Sequence, residues 1–235
     1  MARIDQRDFE LLERFLDEYS MRNAVRVAGF SSFSKSMHRR HLLLMLVSAQ
    51  VSHLGLMPKV NSSEVDLDEV VSDLTESMFC VMNGAYKAAY TLLRSAVENY
   101  LRVMAKGENP SILSLTSVYQ LFDRAEEVQY FGTESGALCF KVLKSSYSNL
   151  CKFVHSAVKS SESSVDALSV FPIFDRMASE RFRGYYEKVV VSMVDALVNA
   201  FPIIYLEMHF TGQDLLSDLL PRRTMRHVHG CLDLV

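Results

Sequence analysis

The amino-acid sequence predicts an all-α protein, a bundle of about five to seven helices with one long central helix. Apolar residues recur at steps of three and four along most of the chain, which is the spacing of one face of an α-helix. No run of alternating apolar and polar residues leads into a hairpin turn, as β-strands would. The nine glycines are scattered and form no glycine-rich phosphate loop. Together these observations favour helices packed on helices.

Composition sets limits on the class of protein. The 235 residues are 49% hydrophobic and 23% charged, which suits a globular chain with a core. A net charge of -3 argues against a partner that is attracted to the whole surface, such as bulk nucleic acid, so a nucleic-acid contact would need a local patch. The four cysteines form no CxxC pair, and residues 1–15 do not resemble a signal peptide. We therefore expect reduced thiols and a cytoplasmic protein.

Two helices are expected before residue 62. The first ends near Gly29 and is predicted by apolar residues at helical spacing: Phe9, Leu12, Leu16 and Tyr19. Residues 31–36, "SSFSKS", are expected to be a short polar break. The second helix covers about 36–56, since a glycine and a proline follow it. We expect residues 1–62 to form a helical pair that packs on the core.

The strongest pattern in the chain is an apolar stripe from about 64 to 105, with a bend allowed at Asn83-Gly84. The first turns of the stripe are acidic, and Arg102 and Lys106 lie in its last turns, as suits a helix dipole. The stripe has steps of four and three: Leu67, Val71, Leu74, Met78, Val81, Ala85, Ala89, Leu92 and Ala96.

Three further helices are expected after the stripe. One lies around 115–125, and the next begins at Gly132-Thr133. A last long helix covers about 176–208, with a kink or stop at Pro202, and residues 211–235 are expected to be a basic tail. The helix that begins at Gly132-Thr133 is expected to place four apolar residues on one face: Leu138, Val142, Leu150 and Val154.

Two apolar stretches, 42–57 and 189–206, are long enough to raise the question of a membrane. The first is short and carries Gln50 and His53, and the second contains Asp195. A buried helix is the favoured interpretation, because an unpaired aspartate near the centre of a bilayer is costly. A membrane-active effector that uses 189–206 is the weaker alternative, so we expect no membrane partner.

Metal and cofactor motifs give no positive signal. His38 with His41, and His227 with His229, are close pairs, but no HExxH, CxxC or ExxH motif accompanies them. No GxSxG nucleophile motif occurs either. We therefore expect no metal site and no cofactor.

Charged residues on the long stripe are the first candidates for a site. Arg94 and Glu98 lie one helical turn apart. They form either an ion pair on a helix surface or a charged pair held at a seam between helices, facing a site.

A histidine near the end of the fifth predicted helix is the second candidate. His155 lies beside the apolar face of that helix, with Asn149 and Lys152 within about two turns. It is either a core histidine bonded to a carbonyl or an acid, or a general acid–base, because imidazole titrates near neutral pH.

The two candidate segments together carry a resemblance. The pairing of "AAYTLLRSAVENYLRVMA" with the later "YSNLCKFVH" resembles HEPN-like domains of prokaryotes, which show LLRSxxE on one long helix and Y-x-x-L-x-x-x-V-H on a later one. The resemblance covers roughly 65–160, and we expect 63–210 to be the HEPN-like bundle. It implies a helical bundle that often dimerises. In many members it also implies a metal-independent ribonuclease of toxin–antitoxin, abortive-infection or other anti-phage systems.

The catalytic signature of the family is an arginine, four to six intervening residues, and a histidine. His155 matches the histidine, but the arginine positions hold Ser148, Asn149 and Leu150. If Asn149 matches the polar residue that often follows the arginine, Ser148 takes the arginine's place. A serine cannot supply the positive charge that stabilises a scissile phosphate. Either Arg94 or Lys152 supplies it from another direction, or the domain binds a partner without cleavage.

Two local basic clusters, in 34–44 and 221–230, are candidates for contact with nucleic-acid phosphates. The alternative is an exposed helix start and a solvated tail. No aromatic residues interleave with these cations, so base stacking is not indicated. The candidate residues are Arg39, Arg40, Arg222, Arg223 and Arg226.

The sequence therefore supports two hypotheses for function. The first is a HEPN-like effector of an anti-phage defence or toxin–antitoxin system that cleaves RNA. Its candidate catalytic residues are His155, Asn149, Arg94, Glu98 and Lys152. The second is a catalytically degenerate helical scaffold or binding subunit of a defence complex, with a protein or nucleic-acid partner. We expect a homo-oligomer, such as a dimer, or a stable complex with a partner protein.

Overall fold

The computed structural model describes residues 30–57, 66–155 and 174–232, together with residues 5, 6, 9, 10 and 13. Within these residues, the side chains of 30, 155 and 232 lie outside the description. The described residues form nine α-helices, a short 3-10 helix at Pro110–Ser114 and no strand, which confirms the all-α class. The α-helices are α1 Phe30–His53, α2 Leu67–Met82, α3 Tyr86–Ala105, α4 Val118–Glu126, α5 Glu134–His155, α6 Arg176–Ala200, α7 Ile203–Glu207, α8 Phe210–Leu219 and α9 Arg222–Leu232.

Most of the predicted first helix lies outside the described residues. From that segment, Phe9 is buried, and its ring lies edge-on to His38 of α1 with 5.5 Å between the ring centroids.

The polar run at 31–36 is part of α1 and not a break, so this prediction was wrong. Phe33 and Met37 are almost fully buried, and Ser34 is buried as well. The Ser34 hydroxyl donates a hydrogen bond to the carbonyl of Ser31 inside the helix. Burial of these residues against the rest of the bundle outweighs the weak helix propensity of the serines.

The long apolar stripe is two helices, because the chain reverses at the predicted bend. Asn83 follows the end of α2, and Gly84 has a φ of 77°, a left-handed conformation that favours glycine. Helix α3 then packs back along α2, and Ser77 donates to the carbonyl of Ala89 across the pair at 2.8 Å. Most of the stripe faces the core of this helical hairpin, whereas Val71, Ala85 and Leu92 are only half-buried.

Helix α6 lies at the centre of the bundle. It packs against α1 and α5 and also contacts α3 and α9. Between Val189 and Asn199 every side chain except Val191 is buried. The hydroxyl of Tyr100 on α3 donates to the carbonyl of Met193 at 2.8 Å. Each of the nine α-helices given above for the described segments adds at least one buried side chain to the same core cluster.

The C-terminal segment forms helices and not a tail, which corrects the prediction for residues 211–235 up to residue 232. Helix α6 ends before Pro202, as predicted, and α7, α8 and α9 follow. Leu215 and Leu216 of α8 and Val228 of α9 are buried in the core. Among the described helices, none is long and apolar enough to cross a membrane.

A buried carboxylate joins α6 to the C-terminal helix. Asp195 is 2% exposed and accepts hydrogen bonds from the Thr224 hydroxyl, the Asn199 amide and, at 3.3 Å, the Cys139 thiol. Arg223 of α9 forms an ion pair with it at 2.9 Å. A buried carboxylate is tolerated when its oxygens accept hydrogen bonds and lie beside a cation in this way. The pair is therefore the polar link that fixes α9 on the bundle.

We expect Asp195→Ala to lower the free energy of unfolding by about 3 kcal/mol, because it leaves the buried Thr224 hydroxyl without its acceptor and the Asn199 amide with only the backbone carbonyl of residue 195. Arg223→Ala should cost more than the roughly 1 kcal/mol of an exposed ion pair, since it leaves the carboxylate of Asp195, whose side chain is 3% exposed, without its cation. Urea denaturation followed by circular dichroism measures both. The exposed Asp123→Ala is the matched control, and an Asp195→Ala loss no larger than that of the control would contradict the anchoring role.

The Cys139 thiol is expected to be unreactive in the folded protein. Its burial and the neighbouring Asp195 carboxylate raise the pKa of Cys139 to about 12, so almost none of it is thiolate near neutral pH. In the folded state, the parent and Cys139→Ser should react with Ellman's reagent at the same fast rate and to the same extent. In the unfolded state, Cys139→Ser should show one reactive thiol fewer than the parent. A smaller fast phase in native Cys139→Ser would contradict this.

Candidate functional site

Arg94 and Glu98 lie at the seam between α3 and α5, where they share one tyrosine. Arg94 donates from Nη2 to the hydroxyl of Tyr147 at 2.9 Å, and that hydroxyl donates to Oε1 of Glu98 at 2.7 Å. The guanidinium carbon of Arg94 is also 5.0 Å from the centroid of the Tyr147 ring. The three side chains form a closed network that links the two helices.

Charge is balanced within this network. Glu98 lies 3.7 Å from Arg94 and 3.9 Å from Arg102, with one carboxylate oxygen facing each arginine. Burial and the hydrogen bond to Glu98 raise the pKa of Tyr147, so its hydroxyl remains an uncharged donor. Arg94 therefore already has a carboxylate and a hydroxyl as partners.

Asn149 and Lys152 form a separate local group on α5. The Asn149 amide donates to the carbonyl of Ser145 at 3.1 Å, and Lys152 donates to Oδ1 of Asn149 at 3.0 Å. Neither of them makes a hydrogen bond or ion pair with Arg94 or Glu98. Asn149 follows Tyr147 by two residues, so the two side chains project from different sides of the helix.

His155 is the last residue of α5, about two turns beyond Tyr147. Its side chain lies outside the described part of the chain. The five predicted catalytic residues are thus divided into an Arg94–Glu98 pair, an Asn149–Lys152 pair and the helix end that carries His155.

Tyr147 was missed as a site residue. Its spacing from Leu143 and Leu150, which are both buried, placed it on the core face of α5. The predicted face was wrong in part, because Leu138 and Val142 are 41% and 38% exposed. A tyrosine on the core face needs a hydrogen-bond partner for its hydroxyl. This requirement could have indicated from the sequence that Tyr147 contacts polar residues of another helix.

The basic cluster on α1 is occupied by intramolecular contacts. Arg39 bridges Asp5 at 3.0 Å and Asp218 at 2.7 Å, beside a cavity of about 280 Å³ that Asp214 also lines. Arg40 donates to Ser36 and lies 3.5 Å from Glu187. Carboxylates beside both arginines weaken the attraction of this cluster for phosphate.

The basic cluster on α9 is divided. Arg223 is paired with Asp195, whereas Arg222 and Arg226 are exposed and have no acidic partner among the described residues. In the described ranges, no group of three or more His, Cys, Asp or Glu side chains is arranged to hold a metal ion.

Comparisons of the chain with protein-family models, curated proteins and solved structures found no match.

We expect Tyr147→Phe to lower the free energy of unfolding by about 1 kcal/mol, because it removes the hydroxyl that joins Arg94 to Glu98. Tyr119→Phe is the matched control, since Tyr119 is 86% exposed and its loss of a hydroxyl should cost close to nothing. Urea denaturation of the two variants gives the comparison. Equal stability of both variants would show that the network does not hold α3 to α5.

Proposed function

We propose that this chain is a non-cleaving, HEPN-like helical subunit that binds a partner in a prokaryotic defence or toxin–antitoxin complex. The observation that carries the proposal is the closed Arg94–Tyr147–Glu98 network. A guanidinium that stabilises a phosphate in a transition state has to present free donors to that phosphate. Arg94 uses one donor for Tyr147 and lies 3.7 Å from Glu98, and its Nε is buried without a hydrogen-bond partner among the described residues.

The alternative source of charge, Lys152, supports the same proposal. Its ammonium is hydrogen-bonded to Asn149 on the same helix. Ser148, in the arginine position of the signature, has no charge. Each residue weighed as a replacement for the missing arginine therefore has an intramolecular partner, which favours binding over cleavage.

RNA cleavage is the second candidate, and one observation favours it. His155 ends α5 two residues after Phe153, and the guanidinium carbon of Arg181 lies 6.0 Å from the centroid of the Phe153 ring. A cation on α6 is thus near the helix end that carries the histidine. In this alternative, His155 would act as the general acid–base.

We expect the purified protein to leave an end-labelled RNA intact in the presence of EDTA, and His155→Ala to behave identically. Time courses of the reaction are followed by denaturing gel electrophoresis. His155→Ala purified in the same way is the control for contaminating nuclease. Metal-independent cleavage that is present in the parent and absent in His155→Ala would overturn the proposal and support the second candidate.

A stable partner is the positive expectation of the binding proposal. The tagged protein, purified from its native host, should elute with a partner at a constant ratio by size-exclusion chromatography and mass spectrometry. Elution as a lone monomer under low-salt conditions would count against a binding subunit.

A further inference from the structure

One end of the bundle carries exposed cations that lack an acidic partner in the part of the chain that the structure describes. This is the end where α3 and α6 begin and α5 finishes. The Tyr86 hydroxyl at the start of α3 accepts a hydrogen bond from the backbone N–H of Asp175 at 2.6 Å and lies 2.9 Å from the Ser179 hydroxyl, so the two helix starts touch. We define the basic end by three exposed residues, Lys87, Arg176 and Arg181. None of these has an acidic partner among the described residues.

Arg181 lies beside a stack of two rings. Tyr90 of α3 and Phe153 of α5 stack with centroids 4.5 Å apart and planes 10° apart. The guanidinium of Arg181 lies over the Phe153 ring, 6.0 Å from its centroid, within the range of a cation–π contact. Burial raises the pKa of Tyr90 to about 12, so that ring remains a neutral phenol. This contact, at the outer limit of the cation–π range, uses none of the hydrogen-bond donors of the guanidinium.

The setting of Arg181 differs from that of its neighbours on α6 and α1. Arg183 is paired with Glu180 and Glu187, and Arg40 also lies beside Glu187. Arg181 is exposed and makes no hydrogen bond or ion pair with the described residues, so the planar fork of donors on its guanidinium suits an external group.

Further side chains on the same face of α6 suit a flat, partly apolar ligand. Met177 and Tyr185 lie one turn before and one turn after Arg181, so the three share a face. Met177 is 75% exposed, and Tyr185 is partly exposed with its ring edge-on to Phe153 at 5.7 Å. Aromatic and apolar groups next to cations are typical of sites for single-stranded nucleic acid, where bases stack and phosphates meet the charges.

We propose that the basic end binds a single-stranded nucleic acid, with a base stacked on the outer face of the Arg181 guanidinium and phosphates near Lys87 and Arg176. The inference rests on the proposed binding function and names its partner. A single strand is required because a duplex hides the faces of its bases. An acidic peptide would satisfy the three cations, but it has no flat group for the outer face of Arg181.

Fluorescence anisotropy with a labelled oligouridine of about 15 nucleotides tests the inference. Parent protein should bind, and two phosphate contacts should weaken the affinity about sevenfold between about 50 and about 200 mM salt. Arg181→Ala should weaken it about tenfold, which is the scale of one lost stacked base. Arg181→Lys keeps the charge but loses the planar stack, and it should weaken binding at least about threefold. Arg124→Ala on α4 is the matched control, since it removes an exposed arginine elsewhere and should change nothing.

Thermal unfolding of the same variants separates binding from folding, because the exposed Arg181 side chain should leave Tm almost unchanged. No binding by the parent at low salt would overturn the inference. So would an Arg181→Ala affinity equal to that of Arg124→Ala, or competition by a polyglutamate peptide as strong as competition by unlabelled oligouridine. Binding that depends on Arg181 and is followed by cutting of the oligonucleotide would support this inference while refuting the non-cleaving function.

Discussion

The arrangement of this protein depends on the burial of α6, and in particular on the carboxylate of Asp195. The second half of that helix is surrounded by the other helices, so its one carboxylate needs hydrogen-bond partners inside the core. Thr224, Asn199 and Cys139 supply hydrogen bonds, and Arg223 supplies the opposite charge. Two of these partners, Arg223 and Thr224, lie on α9. Their contacts with the buried carboxylate therefore also fix the position of the last described helix.

The presence of a carboxylate partner distinguishes the arginines that hold the fold together from the arginine that we assign to a ligand. Arg39, Arg40, Arg94 and Arg223 each lie within 4 Å of a carboxylate, and each joins two elements or stabilises one. Arg181 instead lies 6.0 Å from the centroid of the Phe153 ring. A guanidinium with an aromatic ring on one side can take a base on its other face, which suits recognition of an external group.

Local signals allowed much of the helix layout to be predicted. The stop at Pro202 and the helix at Glu134–His155 follow from proline chemistry and periodicity, which act within a few residues. The reversal at Gly84 was harder to predict, because the apolar spacing continues across the turn and the side chains on both sides face the same core. The helical start of α1 was missed because its serines are held by tertiary burial of Phe33 and Met37.

The candidate site was less predictable, since its contacts join distant residues. The sequence placed Arg94 beside Glu98, but the Tyr147 that closes the network lies about fifty residues later. Asp195 was interpreted as an argument against a membrane helix, and Arg223 as a candidate phosphate ligand, although the two form one pair. The segment 174–186, "FDRMASERFRGYY", does interleave aromatic residues with cations, so the basic end had a sequence signal that lay outside the two clusters first considered.

Binding of a single strand at the end where α3 and α6 begin, as proposed above, can be located directly on the chain. Photocrosslinking of a 4-thiouridine oligonucleotide to the full chain, followed by peptide mass spectrometry, tests where the strand lies. We expect crosslinks within the peptides that contain Phe153, Met177 and Tyr185, and their loss when unlabelled single strand is added in excess. Crosslinks confined to the α9 cluster around Arg222 and Arg226 would contradict it.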